Sequence, residues 1–179
     1  DELDDLLRRA KETSDRHKET LKKILDEMRE EVKRHNRDLE RILEEVKRLI
    51  DEVRKANSKD ETLIRELRKR IEELRERIER SLRELRRKLE ELERRIRDTL
   101  RKLEETLRRL EEELDRRGVP REDVKRIKET MKKLLDENRT EVEKIKREAD
   151  RLLEENRRLV KEIEDTIREL LKRLEDERR

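Results

Sequence analysis

The chain has 179 residues, of which 61% are charged and 28% hydrophobic, and its formal net charge is +3. It contains no cysteine, which excludes disulfides and thiolate metal sites, and no aromatic residue. Acidic and basic residues are interspersed without a block of five like charges, and this pattern argues against binding of nucleic acid or a lipid surface. No apolar run exceeds two residues, so we expect no membrane-spanning helix, and the opening Asp1-Glu2-Leu3-Asp4-Asp5 has no signal-peptide pattern.

The first third of the chain reads as one helix over residues 2–56. Its apolar residues recur mostly three or four positions apart and cover roughly 100° of a helical wheel, the usual width of a core-facing stripe. Asn57 can adopt the left-handed conformation that ends a helix, and Ser58 with Glu61 forms a capping box for the next helix. The stripe consists of Leu3, Leu7, Ala10, Leu21, Leu25, Met28, Val32, Leu39, Leu43, Val46, Ile50 and Val53.

The same spacing predicts a second helix over residues 59–117 and a third over residues 120–178. Gly118, the only glycine, suits a helix C-terminus, and Pro120, the only proline, suits the first turn of the following helix. With short loops at 57–58 and 118–119, helices of nearly equal length predict a single domain over residues 1–179. The expected fold is all-α, an elongated up-down-up three-helix bundle.

Residues of the same type recur every 18 positions along each predicted helix, as in the column Leu3, Leu21 and Leu39. Eighteen residues make five turns of an α-helix, so members of a column point the same way. A strict seven-residue repeat would impose a left-handed supercoil, whereas this repeat predicts nearly straight, coiled-coil-like helices.

Polar residues also occupy this grid, at positions where a core-facing side chain is expected. The midpoint between His17 and Thr99, and that between His35 and Ser81, both fall at residue 58, in the first loop. The midpoints of the corresponding pairs on the second and third helices both fall in the second loop. We therefore predict two buried polar layers, one formed by His17, Thr99 and Asn138 and the other by His35, Ser81 and Asn156.

Each predicted layer can satisfy its own hydrogen bonds, because imidazole, amide and hydroxyl groups both donate and accept. Such a layer specifies register and topology against slipped alternatives. Thr13 and Ser14 adjoin the first layer and are candidates to extend it. Asn36, Thr20 and Thr62 read as surface or helix-end positions.

The sequence offers no sign of a metal, a cofactor or an enzymatic activity. Each layer has one histidine, whereas zinc requires four ligands. We find no nucleophile–base pair with an orienting acid and no glycine-rich phosphate loop, so we predict no catalytic residues. A histidine buried in the neutral form would make stability fall as the pH drops below ~6.5.

Taken together, the grid, the matched helices and the periodic His/Asn/Ser/Thr layers resemble computationally designed helical bundles with buried hydrogen-bond networks. The resemblance implies a structural scaffold with no natural substrate or pathway, soluble and made in the cytoplasm of an expression host. It requires no partner, and the stripe width favours a monomer. A component of a designed oligomer or a helix-mediated interaction module is the alternative.

Overall fold

In a computed structural model the described residues are 2–56 and 60–176, and they form three α-helices with no strand. Helix α1 runs from Glu2–Lys55, α2 from Glu61–Arg116 and α3 from Arg121–Asp176. Most of these bounds lie within one or two residues of the predicted ones. The prediction of an all-α fold built from three helices is therefore confirmed.

The start of α2 is capped by Asp60. Its Oδ1 accepts hydrogen bonds from the backbone N–H groups of Thr62, at 3.1 Å, and Leu63, at 3.4 Å. These are among the N–H groups that have no partner inside a helix, and an aspartate is a preferred residue for satisfying them. Asn57 and Ser58, to which the sequence assigned the turn and the cap, lie outside the described residues.

Gly118 lies in the connection that follows α2, where the sequence predicts a helix end. Its φ of 64° is the left-handed conformation that glycine adopts without a steric penalty. Pro120 directly precedes α3, and its carbonyl accepts from the N–H groups of Asp123, at 3.0 Å, and Val124, at 3.1 Å. Proline suits this place because the N–H that it lacks would have no partner in the first turn.

The helices pack into two compact units. Unit 1 consists of Asp1–Met28 and Leu89–Ala149, and unit 2 of Arg29–Lys88 and Asp150–Arg179. Each unit takes a stretch of all three helices, and each has its own aliphatic core. Whether residues 1–179 behave as a single domain stays a prediction.

The buried residues of α1 differ from those that the predicted stripe contains. Four apolar residues omitted from that stripe are buried, and three of its members, Leu3, Leu7 and Leu25, are only partly buried. The reason is that α1 contacts two other helices in each unit, which widens its buried face beyond one narrow seam. The four omitted residues are Leu6, Ile24, Ile42 and Leu49.

Ion pairs between α1 and α2 repeat on the 18-residue grid. In unit 1, Arg9 pairs with Glu113 at 3.3 Å, and Glu27 pairs with Arg95. In unit 2, Glu45 pairs with Arg77 at 3.1 Å and also contacts Arg70. The α1 members of these pairs, 9, 27 and 45, are 18 residues apart, as are their α2 partners 113, 95 and 77. The charged flanks of the helices therefore follow the same period as the core.

Candidate functional site: two buried polar clusters

The candidate site in unit 1 is the Asn138 cluster, which comprises Ser14, His17, Thr99 and Asn138. Asn138 is fully buried, and its Nδ2 donates to Ser14 Oγ at 2.8 Å and to the carbonyl oxygen of Leu134 at 2.9 Å. Ser14 is also fully buried. Thr99 is buried too, but its hydroxyl donates to the carbonyl oxygen of Arg95 at 2.8 Å. The interhelical contact of this cluster is thus the bond between Ser14 and Asn138.

His17 does not close the layer that the sequence predicts with Thr99 and Asn138. It is only half-buried, and no hydrogen bond in the described part of the chain joins it to either residue. Its ring lines a surface groove between α1 and α2 together with Arg16 and Lys102. Partial burial lowers the pKa of His17 below its ordinary value of 6.5, and the charges of Arg16 and Lys102 lower it further.

The candidate site in unit 2 is the His35 cluster, which comprises Glu31, His35, Asn36, Ser81 and Asn156. His35 is 2% exposed, and its Nδ1 lies 2.7 Å from Oγ of the partly exposed Ser81. The other ring nitrogen, Nε2, lies 3.6 Å from Oε2 of Glu31, one helical turn earlier on α1. A hydroxyl, an imidazole and a carboxylate are therefore arranged in series.

Asn156 takes part in the His35 cluster through a different residue from the predicted one. Its Nδ2 donates to Oδ1 of Asn36 at 2.7 Å, and both amides are buried. The assignment of Asn36 to the surface was therefore wrong. Asn36 follows His35 directly, and a rotation of ~100° per residue turns it from the α2 side of α1 towards α3.

Two buried polar atoms have no hydrogen-bond partner among the described residues: Asn138 Oδ1 and His35 Nε2. Buried side-chain polar atoms in native proteins mostly have hydrogen-bond partners, so each of these two atoms is an unsatisfied polar group in its cluster. In unit 1 the unsatisfied atom is an amide oxygen, which can only accept a hydrogen bond. In unit 2 it is a ring nitrogen that faces a carboxylate.

The burial of Ser14 and Asn36 could have been predicted from their spacing in the sequence. Ser14 stands four residues after Ala10 and seven before Leu21, and Asn36 stands four after Val32. Both therefore fill gaps in the helical stripe, where a buried side chain is expected. Glu31 had no such signal, because nothing in its spacing distinguishes it from the other glutamates of the surface.

No group of three or more His, Cys, Asp or Glu side chains could hold a metal ion in residues 2–56 and 60–176. Across those same residues, no helix has the length and apolar character needed to cross a membrane.

The comparisons with known proteins agree with the geometry. No protein-family model matches the chain, and neither does any curated protein sequence. A solved structure described as a computationally designed three-helix bundle matches 99% of this chain and 90% of its own, with a TM-score of 0.71 and 15% sequence identity. Identity this low shows the fold alone, so the resemblance to designed helical bundles is confirmed as a likeness of fold.

Proposed function

We propose that this chain is a designed structural scaffold without a natural substrate, and that its buried polar contacts fix how the helices align. The observation that carries the proposal is a pair of consecutive residues on α1. His35 contacts Ser81 of α2 at 2.7 Å, and Asn36 accepts from Asn156 of α3 at 2.7 Å. One turn of α1 thus has a defined polar partner on each of the other two helices.

The energetic argument rests on the difference between polar and aliphatic contacts. Sliding α1 by seven residues, about two turns, leaves its apolar stripe facing the core to within ~20°. Leucine and isoleucine can repack after such a shift at modest cost. A buried donor or acceptor that loses its partner costs ~1–3 kcal/mol, so the polar contacts penalise such a slipped arrangement.

The Asn138 cluster supports the same role in unit 1. Asn138 and Ser14 are both fully buried, and their bond joins α3 to α1 at one height. Because the surrounding core is aliphatic, this bond distinguishes one alignment from others that bury the same apolar area.

The surface supports a scaffold that works as a monomer. The described residues include no exposed large hydrophobic side chain, whereas stable oligomer interfaces need an apolar centre. Light scattering should give a mass near 22.4 kDa at micromolar concentration. About twice that mass would favour the alternative, a component of a designed oligomer.

The test of the scaffold proposal is a dry variant in which the interhelical polar contacts are replaced by apolar ones. Removing satisfied pairs as units is often neutral or stabilising, so the midpoint of chemical denaturation should hold or rise. Alignment should become less unique, which would appear as doubled or broadened amide signals in NMR spectra. The dry variant carries Ser14→Ala, His35→Leu, Asn36→Leu, Ser81→Ala, Asn138→Leu and Asn156→Leu.

The matched control changes one exposed residue on each helix, Lys22→Gln, Arg87→Gln and Arg158→Gln. It should keep one sharp set of signals. A dry variant with an equally sharp single set would contradict the proposal, because alignment would then be specified without the polar contacts.

A further inference from the structure

The hydroxyl of Ser81 differs from the other described hydroxyls in its partner. Seven threonine hydroxyls on these helices donate to the carbonyl oxygen four residues earlier, at distances of 2.7 to 3.1 Å. Ser14 accepts from an amide. Ser81 instead lies 2.7 Å from Nδ1 of His35, so its hydroxyl is paired with a base. A serine hydroxyl becomes nucleophilic when a neighbouring base can take its proton.

The third group, Glu31, favours the ring tautomer that this role needs. A neutral imidazole carries its proton on one nitrogen and accepts on the other. Oε2 of Glu31 lies 3.6 Å from Nε2, which is too far for a hydrogen bond, but its negative charge favours a proton on Nε2 and leaves the lone pair on Nδ1, towards Ser81. Arg34 holds the same carboxylate at 2.8 Å from the outer side. The sequence predicts no nucleophile–base pair with an orienting acid, because these three groups come close to one another only in the folded chain.

We propose that Ser81 is a reactive serine that is acylated by small activated esters, with His35 as the general base and Glu31 as a positioning residue. In this step Ser81 Oγ bonds to the ester carbonyl carbon while its proton passes to His35 Nδ1. The tetrahedral adduct collapses, and the bond to the leaving alkoxide or phenolate breaks. The products are acyl-Ser81, the leaving group and a proton, which His35 returns to water.

The surroundings of Ser81 limit this reactivity to acylation without rapid turnover. Ser81 lies in the interior of α2, where backbone N–H groups are used by the helix itself and none is free to stabilise an oxyanion. Ser81 is partly exposed and can be reached by a small ester, whereas His35 is buried behind it. This reactivity does not rest on the proposed scaffold function.

The experiment treats the full chain with p-nitrophenyl acetate near pH 7.5 and locates acetyl groups by peptide mapping. Surface lysines form amides, whereas Ser81 should form an ester that hydroxylamine removes, so the two products are distinguished. Thr106 and Thr130 of the same molecules are partly exposed like Ser81 and donate to backbone carbonyls, so they are internal controls for unactivated hydroxyls. We expect hydroxylamine-labile label on Ser81 and none on the controls.

Variants then assign the roles. General-base catalysis is worth about 10²–10⁴-fold, so His35→Gln should slow acetylation of Ser81 at least about tenfold. Glu31→Gln should slow it by a few fold and change its pH dependence, while His17→Gln should leave it unchanged. Circular dichroism checks that each variant is folded. Label on Ser81 no faster than on Thr106 in the unsubstituted chain, or a rate that His35→Gln does not lower, would overturn the proposal.

Discussion

The Asn138 cluster and the His35 cluster share three columns of the 18-residue grid: His17 with His35, Thr99 with Ser81, and Asn138 with Asn156. The hydrogen bonds of the two clusters nevertheless differ. Asn138 and Asn156 are 18 residues apart, but the first donates to Ser14 and the second to Asn36. His35 is buried against a serine, whereas its column mate is half-buried and faces cationic side chains. A shared direction on the helix therefore does not lead to a shared partner.

The difference arises from residues that lie off the columns. Eighteen residues after Ser14 the chain has Val32, and eighteen residues before Asn36 it has Lys18, so neither polar residue is repeated in the other unit. Lys18 extends outwards and bonds Glu137 at 2.6 Å. Each asparagine thus takes the short polar side chain that is available in its own unit. The lesson is that a repeat sets where a polar group points, and its neighbours decide what it meets.

The largest expected difference between the clusters is the loss of stability when one asparagine is replaced. Asn156→Leu leaves the buried Oδ1 of Asn36 without its donor and should lower the free energy of unfolding by ~1–3 kcal/mol. Asn138→Leu also removes an oxygen that has no partner, and the hydroxyl of Ser14 can turn to a carbonyl of its own helix. Its cost should be the smaller of the two, below ~1 kcal/mol. Chemical denaturation measures both.

The control for this comparison is the double change Asn36→Leu, Asn156→Leu, which removes both members of one pair. It should recover most of the stability that Asn156→Leu loses. Equal losses for Asn156→Leu and Asn138→Leu would mean that the two asparagines are equivalent after all, as the columns alone suggest.

A smaller difference is expected between Glu45 and Glu27, which share one column on α1. Glu45 is 21% exposed and contacts Arg70 and Arg77, whereas Glu27 is 50% exposed and pairs with Arg95. An exposed ion pair contributes ~0–1 kcal/mol to the free energy of unfolding. A carboxylate that is less exposed and pairs with two arginines lies at the upper end of that range. Glu45→Gln should therefore lower the denaturation midpoint measurably, and Glu27→Gln should change it little. Because salt screens these charges, the difference should shrink in about 1 M NaCl.

The smallest expected effect is the pH dependence from His17. Its pKa is lowered in the folded chain, so the unfolded chain binds the proton more readily. The stability associated with neutral His17 is present above the unfolded value of ~6.5 and is lost as the pH falls below it, until the folded pKa is passed. Denaturation midpoints should therefore drop between pH 7 and 5 more in the unsubstituted chain than in His17→Gln.

The direction of that shift can be checked separately by NMR titration of the His17 ring. Lys102→Gln removes one of the positive charges that lower its pKa, and it should move the titration midpoint upwards. A midpoint at or above 6.5 in the unsubstituted chain would show that neither burial nor the neighbouring cations act on the ring.

Much of the fold could be read from the sequence, because its causes are local. Apolar spacing at three and four residues defines the helices, and Gly118 and Pro120 mark one connection by their backbone preferences. The burial of His35, Asn138 and Asn156 also follows from their place within the stripes. The width of the buried face of α1 did not follow, since it depends on how many helices pack against it.

By itself, the sequence determined which residues form helices, where the second connection lies and which columns carry buried polar groups. Tertiary structure alone decided the partners: Ser14 for Asn138, Asn36 for Asn156, and Glu31 behind the pair of His35 and Ser81. The physical reason is one of scale. A helix repeats every five turns, but a hydrogen bond depends on shifts of about one residue, ~1.5 Å along the axis and ~100° around it. Packing between helices sets shifts of that size, and no period within one helix contains them.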